Sequence, residues 1–251
     1  MTKGNSSGQI LIVAVLIIAL LIISTQLYVY EFGGTIGEAN PNSFANSIFA
    51  VRLNTQHVVI GSLANISRGG SNQTLSDNLQ EWASFVGRQY QHGKLILNFT
   101  TRETTPYSSG IWISWGTNGL AVSGAYVNFT LRLSDRGPNV NTTHAVNITT
   151  AIRINGTYKA LQGNDVQVNV TCNLLNEAKP ALVENTTLYY KNETDWLPVN
   201  PQNNYTIMNY GNGTYFMSFV ANIPSSNVEV SMHAYDYRGI YVQTSVTCTE
   251  I

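Results

Sequence analysis

The chain has 251 residues, of which 13 are Lys or Arg and 14 are Asp or Glu, so charged residues make up only 11% of it. An average soluble domain carries about 25%. Here 28 Asn and 25 Thr supply much of the polarity instead. A formal net charge of −1 excludes the broad basic face that nucleic acid requires, and 43% hydrophobic residues suffice for a packed core. These numbers favour a membrane or extracellular protein with no nucleic-acid partner.

The N-terminal part contains a 21-residue stretch, residues 10–30, that carries no charge and is mostly Ile, Leu, Val and Ala. As a helix rising about 1.5 Å per residue it would cover about 30 Å, the hydrocarbon thickness of a bilayer. Tyr28 and Tyr30 suit the aromatic belt at the membrane interface. The stretch therefore predicts a single-pass transmembrane helix that acts as a signal anchor, with the lipid bilayer as a partner. A buried core helix and a cleaved signal peptide are the alternatives.

The orientation of this span rests on few charges. Lys3 is the only cation before it, and Arg52 lies more than twenty residues beyond it. Because cytoplasmic flanks carry the excess of Lys and Arg, we expect residues 1–9 in the cytoplasm. The rest of the chain would then be extracellular, at the surface of the cell membrane.

The acceptor pattern for N-glycosylation, Asn-x-Ser/Thr, recurs after the span. Eleven of its twelve occurrences end in Thr. We expect a glycoprotein, because glycans would hydrate a surface that has few charges. The alternative is that Asn and Thr simply alternate on exposed strand faces. The twelve candidate sites are Asn65, Asn72, Asn98, Asn128, Asn141, Asn147, Asn155, Asn169, Asn185, Asn192, Asn204 and Asn212.

Residues 31–93 read as a glycine-rich break followed by a helical neck. Apolar residues at three-and-four spacing predict one helix from about Ser43 to the Gly69-Gly70 pair. A second helix, capped by Ser71 or Asn72, ends near Gly93. Two helices joined by a short glycine turn predict an antiparallel hairpin.

From residue 94 the hydrophobic period changes to two, which predicts strands. Four strands over residues 94–155 form a first β unit, and five to seven strands over residues 156–251 are typical of an antiparallel immunoglobulin-like β-sandwich. The predicted fold class is therefore α+β, mainly β. Whether there are one or two β domains stays open, because the first strands could also form one unit with the helices.

The two cysteines, Cys172 and Cys248, both fall in this last block. An even pair in one outward-facing domain predicts a disulfide, which would close a loop of about 76 residues and stabilise the fold by roughly 4 kcal/mol. Two buried free thiols are the alternative.

No catalytic pattern emerges from the sequence. The four histidines lack helical metal-binding spacing, and glycine-rich phosphate loops and nucleophile elbows are missing from the sequence. We therefore expect a protein that is not an enzyme, with no catalytic residue, cofactor or metal. Among the aromatic residues, alternation along β-like residues 111–115 assigns Ile111, Ile113 and Trp115 to a core face and leaves Trp112 as the candidate ligand contact.

The start Ser7-Gly8-Gln9-Ile10-Leu11-Ile12-Val13, followed by an apolar helix and an Asn/Thr-rich β region, resembles archaeal surface proteins with type IV pilin-like N-termini. The resemblance implies cleavage by a prepilin peptidase after a Gly preceded by Lys or Arg, and packing of the helix with itself or other pilin-like subunits. Ser7 stands where that cation is expected, Val13 stands where bacterial-type pilins carry Glu, and Lys3-Gly4 offers the expected dipeptide upstream. An uncleaved anchor and a polymerising subunit both stay open.

Together these patterns predict a membrane-anchored, outward-facing, non-enzymatic surface or structural protein, as a pilin-like or envelope component. The alternative is a cell-surface binding module that recognises a glycan or a partner protein through its β domain.

Overall fold

A computed structural model of the chain describes residues 41–90, 93–135, 139–224 and 227–251. The predicted cytoplasmic residues 1–9 and membrane span 10–30 lie outside this part. Among the described helices, none combines the length and apolar character needed to cross a bilayer. Residues Ala50–Ile251 group into one compact unit.

Two helices pack side by side at the start of the described chain. The indole Nε1 of Trp82 donates to Thr55 Oγ1 at 3.0 Å, and Asn78 Nδ2 donates to Ser62 Oγ at 2.9 Å. The earlier residue of the first helix meets the later residue of the second, so the helices run antiparallel, as the hairpin prediction requires. Their bounds are Pro41–Ser67 for α1 and Thr74–Gln89 for α2.

The helix starts differ from those expected. Helix α1 begins at Pro41 rather than Ser43, because the fixed φ of proline suits the first helical position. Helix α2 has Gln73 as its N-cap residue, without a side-chain cap. The Ser71 hydroxyl instead accepts from the Gln73 N–H at 3.2 Å, within the turn.

Thirteen strands follow in the described ranges. The longer ones coincide with the segments in which apolar and polar residues alternate, where the sequence predicted strands. Four short strands, β6, β8, β9 and β13, were not expected. The strands are β1 Gly93–Thr101, β2 Ile111–Trp115, β3 Leu120–Asp135, β4 Val140–Ala160, β5 Asp165–Asn176, β6 Lys179–Pro180, β7 Val183–Asn192, β8 Asp195–Pro198, β9 Thr206–Asn209, β10 Thr214–Asn222, β11 Glu229–Asp236, β12 Tyr241–Thr247 and β13 Thr249–Glu250.

These strands form two sheets, so the described chain is mainly β, with antiparallel sheets and two helices. Sheet A has nine strands in the order β1-β3-β4-β5-β10-β9, with β2 paired to β3, β6 to β5 and β13 to β4. Sheet B has the order β12-β11-β7-β8. The pairing of β13 with β4 is parallel, and the other strand pairs are antiparallel.

One face of sheet A is largely buried, under two different covers. Sheet B covers the β4, β5 and β10 region through a shared apolar core. At the other end α2 contacts β1, and the buried apolar residues there lie on the helices, β1 and β3. The first core includes Ile154, Val168, Leu174, Met217, Phe219, Leu188, Met232 and Val242. The second set includes Val59, Leu63, Leu75, Leu79, Leu95, Leu97, Phe129, Leu131 and Leu133.

The expected boundary between residues 155 and 156 falls inside strand β4, which pairs with β3 on one side and with β5 on the other. An Asn-Gly pair commonly forms a turn, but here Asn155 and Gly156 continue the strand. The glycine has a packing role, because a Cβ at Gly156 would collide with Cys248 Sγ. A single sheet therefore crosses the expected boundary.

A buried ionic network fixes the turn between β11 and β12 to sheet A. The Asp236 side chain is fully buried and accepts from Arg238 Nε and from Thr150 Oγ1, each at 2.8 Å. Arg238 also donates to Glu177 Oε1 at 2.7 Å and to the Thr149 carbonyl at 3.0 Å. These carboxylates raise the pKa of Arg238, against the opposing effect of burial.

We expect Asp236→Ala to lower the free energy of unfolding by about 3–5 kcal/mol. The substitution removes the buried acceptor of Thr150 Oγ1 and the Ile240 N–H and leaves the partly buried Arg238 charge with Glu177 as its one carboxylate partner. Glu229→Ala is the matched control on the same strand, because Glu229 forms a partly exposed pair with Lys191 at 3.0 Å and should cost no more than about 1 kcal/mol. Urea denaturation of both variants measures the difference. Equal costs would contradict the assigned role of the network.

We expect Gly156→Ala to lower the free energy of unfolding by about 1–3 kcal/mol through overpacking against Cys248. The cost should shrink in a Cys248→Ala background, and a double-mutant cycle measures that coupling. Gly61→Ala is the control, because open space surrounds Gly61. A cost that is the same in both backgrounds would show that the Cys248 contact is not the reason for the glycine.

Candidate functional site

An open groove of about 430 Å³ crosses the outer face of sheet B. Its floor is formed by side chains of β7, β11 and β12 that alternate with the core residues of those strands, and β8 and the β2–β3 turn form its sides. The lining residues are aromatic, hydroxyl-bearing or amide-bearing, apart from one glycine. They are Trp115, Gly116, Thr117, Tyr189, Trp196, Ser231, His233, Gln243, Thr244 and Ser245.

Aromatic rings contact one another across the floor. The Tyr189 and His233 rings lie 4.6 Å apart between centroids, and His233 contacts Tyr241 edge-on at 5.7 Å. Trp115 packs edge-on against the same Tyr241 ring at 5.3 Å. Such contacts hold each ring at a fixed angle, so the floor is preorganised. Trp196, 41% exposed, lies at the side of the groove.

The β2–β3 turn is held against strand β12 by hydrogen bonds. The Gly116 carbonyl accepts from the Ser245 N–H at 3.2 Å and from Thr244 Oγ1 at 2.9 Å, while the Gly119 N–H donates to the Ser245 carbonyl at 2.8 Å. Trp115 Nε1 donates to Ser123 Oγ at 3.1 Å. The backbone thereby fixes the wall that carries Trp115.

The lining of the groove is electrically neutral. Its ten residues include no Asp, Glu, Lys or Arg. Burial lowers the pKa of His233, so its imidazole is uncharged at pH 7. Burial raises the pKa of Tyr241, which packs against His233, to about 12, so that phenol keeps its proton. The groove can therefore offer ring faces together with neutral donors and acceptors.

Trp112, the candidate contact chosen from the sequence, does not line this groove. Its ring packs edge-on against Tyr107 at 5.9 Å and is only partly exposed. Alternation correctly placed Ile113 and Trp115 on the same face of β2 as the buried Ile111. However, β2 lies at the edge of sheet A, where this face is incompletely covered. Trp115 is therefore 37% exposed.

The sequence analysis did not propose the other groove aromatics, Tyr189, Trp196 and His233, as ligand contacts. The ring of Tyr190 contacts the buried Phe219 at 5.8 Å, whereas its neighbour Tyr189 points to the opposite face, into the groove. Trp196 lies in the four-residue strand β8, which is too short to show a hydrophobic period.

Cys172 and Cys248 are free thiols in the structure and do not form the expected disulfide there. Cys172 lies within β5, opposite Ile154 of β4, whereas Cys248 follows β12 and packs against Gly156. Both side chains are buried, and burial raises the pKa of each thiol to about 12. They serve as small apolar core residues.

The twelve candidate glycosylation sites all lie in the described ranges, ten of them exposed and two, Asn169 and Asn192, partly exposed. Six share one surface, the outer face of sheet A, because they alternate with the buried residues of β1, β3, β4 and β5. Asn98 is the cross-strand partner of Thr130, and Asn128 is the partner of Thr100. Asn155 and Asn169 are paired with Thr171 and Thr157 in the same way. The six are Asn98, Asn128, Asn141, Asn147, Asn155 and Asn169.

A scan against protein-family models finds no match for the chain, and a search of curated proteins finds none.

We expect both thiols to resist alkylation in the folded protein. With a pKa of about 12, the thiolate fraction at pH 8 is about a thousandfold below that of a free cysteine. Iodoacetamide followed by intact-mass measurement should show no adduct in buffer and two adducts in guanidinium without reductant. Failure to label in guanidinium, with a mass two daltons low, would instead show a disulfide.

Proposed function

We propose that the chain is a membrane-anchored, outward-facing, non-enzymatic surface protein that displays a glycosylated β unit, as a pilin-like or envelope component. The anchor is the uncharged segment 10–30, and residues 1–9 face the cytoplasm. The prokaryotic pilin-like N-terminus supports assembly with itself or related subunits through that helix.

The observation that carries this proposal is the clustering of six candidate acceptors on the outer face of sheet A. Thr is a cross-strand partner of four of the six, and Arg132, opposite Asn141, is the one charged cross-strand partner among the described pairs. Opposing Asn–Thr neighbours provide mutual polar contacts, and attached glycans would add the hydration that ionised groups usually supply. An exposed Asn side chain is also accessible to a transferase, and no site of the twelve is buried.

We also propose that β4 to β13 form an immunoglobulin-like sandwich. The path β4-β5-β10-β9 in sheet A corresponds to the A-B-E-D order, and β12-β11-β7-β8 corresponds to G-F-C-C′. Antibody domains join strands B and F by a disulfide. Here Cys172 is on the B strand, but Met232 and Ala234 occupy the buried positions of the F strand, so the arrangement lacks that bridge.

A second candidate function is a binding module that uses the groove on sheet B. The preorganised aromatic floor supports it, and the residues concerned are Trp115, Tyr189, Trp196 and His233 rather than Trp112.

We expect the native protein to fractionate with membranes, to need detergent for extraction, and to carry glycan mass at several of the six sheet A sites. Ile18→Arg should lower the membrane-bound fraction, because a charge at the centre of a span costs about 3 kcal/mol. Intact-mass and glycopeptide analysis report the sugar load, and fractionation reports the anchor.

Ser43→Arg, outside the apolar stretch, is the matched control and should stay in the membrane fraction. Full-length protein that purifies without detergent and carries no sugar would contradict the proposal. Assembly of the detergent-extracted protein that Val15→Arg abolishes would favour the polymerising pilin over the simple anchor.

A further inference from the structure

We propose that the groove on sheet B binds a neutral saccharide, by stacking a pyranose ring on its aromatic side chains and hydrogen-bonding the sugar hydroxyls. This inference rests on the second candidate function, the binding module, and names its ligand class.

The first argument is the arrangement of the rings. A pyranose has a face of C–H bonds that carries partial positive charge, and this face complements the electron-rich face of an aromatic ring. Tyr189 and His233 form a tilted pair on the floor, at 4.6 Å, and Trp196 stands exposed at the side. A ligand lying in the groove therefore meets aromatic surface both beneath it and beside it.

The second argument is the kind of polar group between the rings. Ser231, Ser245 and Thr117 bring hydroxyls to the lining, and Gln243 brings an amide. Such groups can both donate and accept, which suits a ligand whose own hydroxyls do the same. The Ser231 hydroxyl already donates to the Thr244 carbonyl at 3.3 Å and therefore offers an acceptor. The Gln243 Oε1 already accepts from the Tyr241 hydroxyl, so the amide is held in place and its nitrogen is the donor available to a ligand.

The third argument is charge. A phosphate or carboxylate ligand would require Lys, Arg or clustered backbone donors, and a cationic ligand would require a carboxylate. The lining contains neither kind of side chain. Outside the lining, Lys191 Nζ lies 6.0 Å from the Trp196 ring centre and is paired with Glu229 at 3.0 Å. The groove therefore selects against charged ligands and favours neutral sugars over acidic ones.

The fourth argument is form and position. A volume of about 430 Å³ falls in the range of small-molecule sites, and an open groove accepts a segment within a chain as well as a chain end. The six clustered glycosylation sites lie on the outer face of sheet A, on the other side of the sandwich. Sugars attached there would leave the groove of the same molecule open, whereas Asn185, opposite Tyr235, lies on the groove's own face of sheet B.

The test uses the full-length protein in detergent and three neutral probes: mannotriose, maltotriose and triacetylchitotriose. Saturation-transfer NMR and tryptophan fluorescence should detect binding of at least one probe. We expect Trp196→Ala and Tyr189→Ala each to weaken it by about tenfold or more. Tyr237→Ala is the matched control, because Tyr237 is 70% exposed and outside the groove, and it should bind as the unchanged protein does.

In a second arm, oligosaccharides released from the protein's own glycosylation sites are tested as ligands. This arm distinguishes a ligand carried by a neighbouring copy of the protein from a saccharide of another source. Binding to either source that both groove variants weaken supports the proposal. Binding that persists in both variants, or no binding to any probe or released sugar, overturns it.

A third arm separates this inference from the function on which it rests. Immobilised protein is exposed to cell-envelope fragments that were treated with periodate, which cleaves vicinal diols, or with protease. Trp196-dependent retention that periodate abolishes supports a saccharide. Trp196-dependent retention that only protease abolishes keeps the binding module and overturns the saccharide. If no fragment is retained in a Trp196-dependent manner, both the saccharide ligand and the binding module are overturned.

Discussion

The structure depends on one constraint, the need to bury most of one face of a long sheet. Strand β4 runs from Val140 to Ala160, too far for one small cover. The α-helical hairpin covers one end of that face and sheet B covers the other. Where the two covers meet, Arg68 of the helix hairpin donates twice to the Gly239 carbonyl, at 2.8 and 3.1 Å, and the Tyr241 N–H donates to Ser67 Oγ at 3.0 Å.

That junction also holds the candidate site in place. The turn between β11 and β12 is fixed from the helix side by Arg68, and from the sheet A side by the network of Asp236 and Arg238. The same two strands carry His233 and Gln243 on their outer face. Because inner and outer side chains alternate on one backbone, the buried network restricts the position of the groove floor. The site is thus preorganised by residues that do not line it.

Much of the architecture could be predicted from hydrophobic period, and the failures have identifiable causes. The long strands and both helices carry regular patterns, whereas β8 and β9 have four residues each, too few to show a period. The pair Asn155-Gly156 signals a turn locally, but contact with Cys248 requires glycine within the strand. The groove was missed because alternation assigns a side chain to a face and cannot tell where that face is covered, as Trp115 shows.

The proposed function also accounts for exposed apolar edges in the described chain. Strand β9 is an edge of sheet A and exposes Ile207 and Met208 by 48% and 54%, a pattern that invites pairing with another chain. Natural edge strands are usually protected by charge or by a cover, and charge is scarce here. Candidate sites at Asn204 and Asn212 lie on either side of β9. Glycans at these two positions would cover the edge from both ends. They would then protect the edge in place of the charged side chains that usually do so.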